Sequence, residues 1–150
     1  MHGRIGRLAL AAVSAWFISN SAASTAPEWI FGTYEPPFNC EWHEDDERWS
    51  CPPGSNDHVS LKRQSGGRIE VSVFIENPRN TNACQLHGVG VWRNDRVVVN
   101  TKGTLGPCTL EVIVRPQSVI LRDVGQKCVL SYCGGNVWFE GEELPKSTRQ

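Results

Sequence analysis

The densest set of ionisable side chains lies between two cysteines, in the run C-E-W-H-E-D-D-E-R-W-S-C at residues 40–51. Glu41, Glu44, Asp45, Asp46 and Glu47 fall within it, and Arg48 is the one base beside them. Like charges held this close repel, and the repulsion destabilises a fold unless something outside neutralises it. Three chemistries answer to such a run. One is a solvated loop with no ligand. Another is a calcium site, but the run lacks the alternate acids and turn glycine of a calcium loop. The third is a protein-binding loop, in which Trp42 and Trp49 supply apolar anchors beside the charge. That third reading assigns Trp42, His43, Glu44, Asp45, Asp46 and Trp49 to contact with a basic protein partner. His43 adds a group whose charge changes near neutral pH.

Catalytic arrangements are poorly represented. Glu44 and Asp46 could form a carboxylate pair of the glycosidase kind, yet any acidic loop offers such a pair. Asp57, His58 and Ser60 contain the residue types of a nucleophilic triad, but they sit almost adjacent in sequence. There is no G-x-S-x-G and no H-E-x-x-H. The histidines His43, His58 and His87 are spread over three segments. The sequence therefore reads as a binding protein rather than an enzyme, with no cofactor and no metal expected.

Six cysteines, Cys40, Cys51, Cys84, Cys108, Cys128 and Cys133, form an even set. Only Cys128 and Cys133 are closely spaced, as C-x-x-x-x-C, and no second close pair completes a zinc site. Three disulfides are expected, the first between Cys40 and Cys51. Disulfides call for an oxidising compartment, and the N-terminus supplies a route to one. Arg4 and Arg7 precede the apolar run L-A-L-A-A-V-S-A-W-F-I at 8–18, and small polar residues follow. This is the pattern of a secretory signal peptide over residues 1–26, cleaved after 23 or 26. The apolar run falls short of the roughly 20 residues needed to span a bilayer. Without Arg4 and Arg7 the 15 basic residues become 13 against 16 acidic ones, a net charge of −3. Such a domain, residues 27–150, has no electrostatic affinity for nucleic acid or an anionic membrane surface.

Short strands separated by turn signals must position these residues. Ile69, Val71, Val73 and Ile75 alternate with polar neighbours over 68–76, the period of a half-buried strand. Val59 and Leu61, then Leu86, Gly88, Gly90 and Trp92, then Leu110, Val112 and Val114 repeat that alternation. Asn94 and Asp95 suit a two-residue hairpin turn. Further strand content is read around Trp29, Phe31 and Tyr34, at 96–101 and at 119–122. A last hairpin is read between 128–133 and 137–139, followed by a frayed tail over 145–150. A helix is conceivable only at 41–49, where Trp42 and Trp49 are seven apart. Trp29, Trp92 and Trp138 are expected in the core or at barrel ends. The fold class is all-β: a small antiparallel meander closing into a barrel or sandwich, stapled by disulfides. In an up-down meander Cys108 opens one strand and Cys128 follows the end of its hairpin partner. That favours Cys108–Cys128, with Cys84–Cys133 remaining, among the three connectivities that four cysteines allow.

Residues 83–141 also carry A-C-Q-L-H-G, then C-T-L, then Y-C-G-G-N-V-W-F-E-G. This resembles the cysteine-rich β module of small bacterial periplasmic proteins, lysozyme-inhibitor-like ones among them. The resemblance implies a periplasmic β domain and suggests an inhibitor of a lysozyme-like cell-wall hydrolase. An envelope structural or interaction protein without inhibitory activity is the alternative. The chain differs from membrane-bound inhibitors of that kind, which carry a lipobox cysteine and a serine-glycine-rich inhibitory loop.

Overall fold

The computed structural model describes residues 25–36, 41–43, 45, 48–50, 56–77, 79–80 and 82–147. The expected signal peptide falls almost wholly on 1–24, outside the described residues, as do Cys40 and Cys51. The strands are β1 (Gly32–Tyr34), β2 (Glu41–His43), β3 (Arg48–Ser50), β4 (His58–Arg63), β5 (Arg68–Glu76), β6 (Ala83–Arg93), β7 (Arg96–Gly103), β8 (Gly106–Val114), β9 (Ser118–Asp123) and β10 (Glu143–Pro145). The single α-helical turn described is α1 (Val129–Tyr132).

Eight strands form one antiparallel sheet in the order β1-β4-β5-β6-β7-β8-β9-β10. Its two edges meet. Tyr34 bridges Lys146, Pro145 O accepts the Glu35 N–H at 2.9 Å, and Ser147 N–H reaches Thr33 O at 2.9 Å. The sheet thus comes round on itself as a barrel, leaving little exposed edge. Residues 145–147, read from sequence as part of a frayed tail, are the seam that closes it. Pro145 has no N–H to donate, but its carbonyl is what this position requires.

The alternation seen in sequence decides the interior. Val59, Leu61, Ile69, Val71, Val73, Ile75, Leu86, Val97, Val99, Leu110, Val112, Val119 and Leu121 are all buried. An eight-stranded barrel is just wide enough to be filled by side chains. Gly88 and Gly90 face inward on β6, where that width runs out. A Cβ on Gly90 would lie 2.6 Å from Val97 Cγ1, and one on Gly88 would lie 2.9 Å from Val99 Cγ1. At the other extreme of size, Tyr34 is fully buried, and its hydroxyl donates to Ile30 O at 2.8 Å. Burial pushes its phenol up to about 12.

Asn94 and Asp95 take φ of 45° and 67°, the left-handed pair of a tight hairpin turn between β6 and β7. The first strand is shorter than the sequence suggested. Glu28–Ile30 is a 3-10 turn, with Trp29 exposed, and only Gly32–Tyr34 joins the sheet.

The expected hairpin at 128–139 is absent. Asp123 intervenes: its buried carboxylate accepts the N–H groups of Cys128 at 2.9 Å and Val129 at 2.8 Å. Two disulfides then fix the path, Cys108–Cys128 on β8 and Cys84–Cys133 on β6. Both are the pairs expected from strand direction. All four described cysteines are bridged, in keeping with an oxidising environment. Ser131 Oγ accepts the Leu105 N–H, Tyr132 meets Thr101 at 2.8 Å, and Asn82 and Asn77 donate to Gly135 O and Asn136 O. The segment 124–142 therefore follows the barrel rim from β9 past β8 and β7 to β6. It then returns with Val137 and Phe139 buried in the core. It is a stapled cap, not another pair of strands.

Candidate functional site

The acidic run forms a β-hairpin. β2 and β3 make a two-stranded antiparallel sheet of their own, with Glu41 opposite Ser50, Trp42 opposite Trp49 and His43 opposite Arg48. The conceivable helix at 41–49 is thereby corrected. Spacing of seven is compatible with two helical turns, but a reversal midway between the tryptophans brings them to opposed ladder positions instead. The β-propensity of the Trp residues favours that outcome. Asp45 lies in the turn and is exposed. Glu44 and Asp46 lie outside the described residues, as does the expected Cys40–Cys51 bridge. Of the six residues assigned to partner contact, the fold places Trp42, His43 and Trp49 on paired strands and Asp45 at the reversal.

This hairpin is inserted between β1 and β4, at the capped end of the barrel. Its return leads into Asn56 and Asp57. Asp57 is 9% exposed, and its Oδ1 accepts the Glu76 N–H at 2.7 Å, tying the root of the insertion to the end of β5. Burial pushes the Asp57 carboxyl up to about 6; Glu142 and Glu76 raise it further, while the Glu76 N–H and His58 pull it down. Asn56 donates to Glu76 Oε2 at 3.1 Å, and His58 Nδ1 meets Asn56 O at 2.9 Å. His58 also stacks on Phe74 with centroids 5.9 Å apart. Asp57, His58 and Ser60 are thus separate in role. Asp57 Oδ1 is held by the Glu76 N–H and His58 Nδ1 by Asn56 O, so the three do not form a hydrogen-bonded triad.

The cap carries a second set of exposed side chains. Trp138 lies at a barrel end, one of the two places expected for it, and is 56% exposed. Val137 and Phe139 are buried, and the residue between them faces out. Asp123, Gln126, Val129, Trp138 and Glu140 line a cleft of about 380 Å³. Leu105 and Leu130 are also exposed, on the β7–β8 turn and on α1. Trp92, by contrast, packs partly against the core, as expected.

Fold and site together define a class: a capped, disulfide-stapled antiparallel barrel with a filled interior, bearing an acidic tryptophan hairpin at its capped end. No family model, no curated protein and no solved structure matches the chain. Among the described residues no helix is long and apolar enough to cross a membrane.

Proposed function

We propose that this chain is an exported, periplasmic protein-binding domain that engages a basic partner through the β2–β3 hairpin. The partner class that fits best is a lysozyme-like cell-wall hydrolase, which the domain would inhibit by occupying the rim of its cationic cleft. One observation carries the reading: Trp42 and Trp49 are opposed in a two-stranded sheet whose sequence concentrates five carboxylates. Carboxylates at a hairpin tip create a negative field that raises the encounter rate with a cationic surface. Paired tryptophans supply the apolar contact that slows dissociation. The filled barrel is a rigid base for both, which lowers the ordering cost of binding. The secretory pattern at 1–26 and the disulfides support export, and a mature N-terminus at residue 24 or 27, read by mass spectrometry, is expected.

The test combines lysis and kinetics. Purified mature protein should slow lysozyme-driven clearing of a cell-wall suspension. The triple variant Glu44→Gln, Asp45→Asn, Asp46→Asn should associate about 3- to 10-fold more slowly at low salt, with the difference shrinking as salt is added. An unchanged association rate at low salt, against a partner that binds the parent, overturns the hairpin assignment. Binding without any slowing of lysis supports instead the envelope interaction protein without inhibitory activity.

A further inference from the structure

The cleft on the cap has a composition that selects its occupant. Trp138 forms an exposed wall, with Val129 on the half-buried start of α1 beside it. Two carboxylates line it, those of Asp123 and Glu140, and among the described residues no base does. Each oxygen of Asp123 already accepts one backbone N–H, from Cys128 and from Val129. Glu140 holds the Asp123 N–H through Oε2 at 2.8 Å, so this bond leaves its other oxygen for a ligand. Gln126, at φ 53°, places an amide on the same cleft. Arg122, next to Asp123 in sequence, pairs with Glu111 and lines the adjoining hollow, which shares Asp123, Gln126 and Glu140 with this cleft.

An anion is repelled by this lining. A neutral sugar could stack on the indole but leaves the carboxylate charge uncompensated. A planar cation satisfies every free group, because a guanidinium stacks on an aromatic face and forks onto a carboxylate at once. We propose that the cleft formed by Trp138, Glu140 and Gln126 receives an arginine side chain of the partner protein, the guanidinium lying on the indole and donating to Glu140. The inference deepens the reading of a basic protein partner and rests on it, but it uses no residue of the hairpin. The Cys108–Cys128 bridge and the Asp123 cap hold the backbone beside the cleft, so the slot is formed before binding.

The experiment uses the whole mature domain with nitrogen-labelled indoles, the Trp138 signal being assigned with Trp138→Phe. Three probes are titrated: a capped Gly-Arg-Gly peptide, a capped Gly-Lys-Gly peptide and a trimer of N-acetylglucosamine. The arginine peptide should shift the Trp138 indole signal saturably, the lysine peptide more weakly, and the sugar not at all. Glu140→Gln, which keeps an oxygen for the Asp123 N–H, should weaken the arginine peptide about 3- to 10-fold. The triple hairpin variant should leave its binding unchanged, so failure of the slot and failure of the hairpin are distinguishable. A shift with the sugar but not with arginine, no shift with any probe, or arginine binding that Glu140→Gln does not weaken each overturns the proposal.

Discussion

Replacing Asp57 by asparagine should stabilise this domain at alkaline pH and leave it unchanged in acid. The carboxyl titrates in the folded chain at about 6, raised from 3.8 by burial and by Glu142 and Glu76. A raised folded-state value means that the fold prefers the protonated form. Asp57 therefore contributes its full stability below pH 4, and that contribution is lost as the pH climbs through 6. A shift of about two units corresponds to about 3 kcal/mol at most. Asp57 is 9% exposed, so solvent screens part of it, and about 1–2 kcal/mol is the expected cost of ionised Asp57 at pH 8. Asparagine keeps the shape and an oxygen to accept the Glu76 N–H, which donates to Asp57 Oδ1 at 2.7 Å in the parent. The assay is thermal unfolding followed by circular dichroism at pH 4 and pH 8. Asp57→Asn should melt about 4–8 °C above the parent at pH 8, and level with it at pH 4. The reasoning is refuted by an equal gap at the two pH values, or by a variant that melts lower at pH 8. Either result would mean that the Glu76 hydrogen bond outweighs burial.

Other positions give independent tests. Gly90→Ala should cost about 2 kcal/mol in a urea titration, because its Cβ meets Val97 Cγ1 at 2.6 Å and Val98 O at 3.1 Å; adding Val97→Ala should recover part of the loss. Alanine at both ends of Cys84–Cys133, a separation of 49, should cost about 4 kcal/mol, and at both ends of Cys108–Cys128, a separation of 20, about 3 kcal/mol; equal melting of either variant and the parent would refute this. Tyr34→Phe leaves Ile30 O without its 2.8 Å donor in a buried setting, a loss of about 1–3 kcal/mol measurable by the same denaturation. Alkylation of unreduced protein should label none of the six cysteines, which tests Cys40 and Cys51 together with the four bridged ones.

Wherever neighbouring residues alone decide the outcome, the sequence was a sufficient guide. The 68–76 alternation became β5 residue for residue, and Asn94-Asp95 became the turn its side chains tolerate. Strand direction was enough to pair the four described cysteines, because a meander dictates which strand ends share a rim. What escaped notice depends on distant partners. The cap is extended and apolar in sequence, so V-W-F read as a strand. It is shaped instead by Asp123, by two bridges and by two asparagines on the far side of the rim. The glycines of β6 read only as alternation; their reason, the girth of Val97 and Val99, lies on another strand. The shape of 41–49 was open in the sequence, since Trp spacing of seven is shared by a helix and by a symmetric reversal, and the reversal is what forms.

The seam between Tyr34 and residues 145–147 has a consequence for biosynthesis. The closing strand β10 is made after the nine other strands, so the growing chain can pair β4 through β9 while β1 and β9 still lack their outer neighbours. Each then presents a row of unsatisfied backbone groups, a template for the wrong strand. Completion of the barrel is thereby deferred until residues 145–147 are free. A polypeptide that crosses a membrane as an unfolded thread would meet its closing strand only on the far side, where its thiols can also be oxidised.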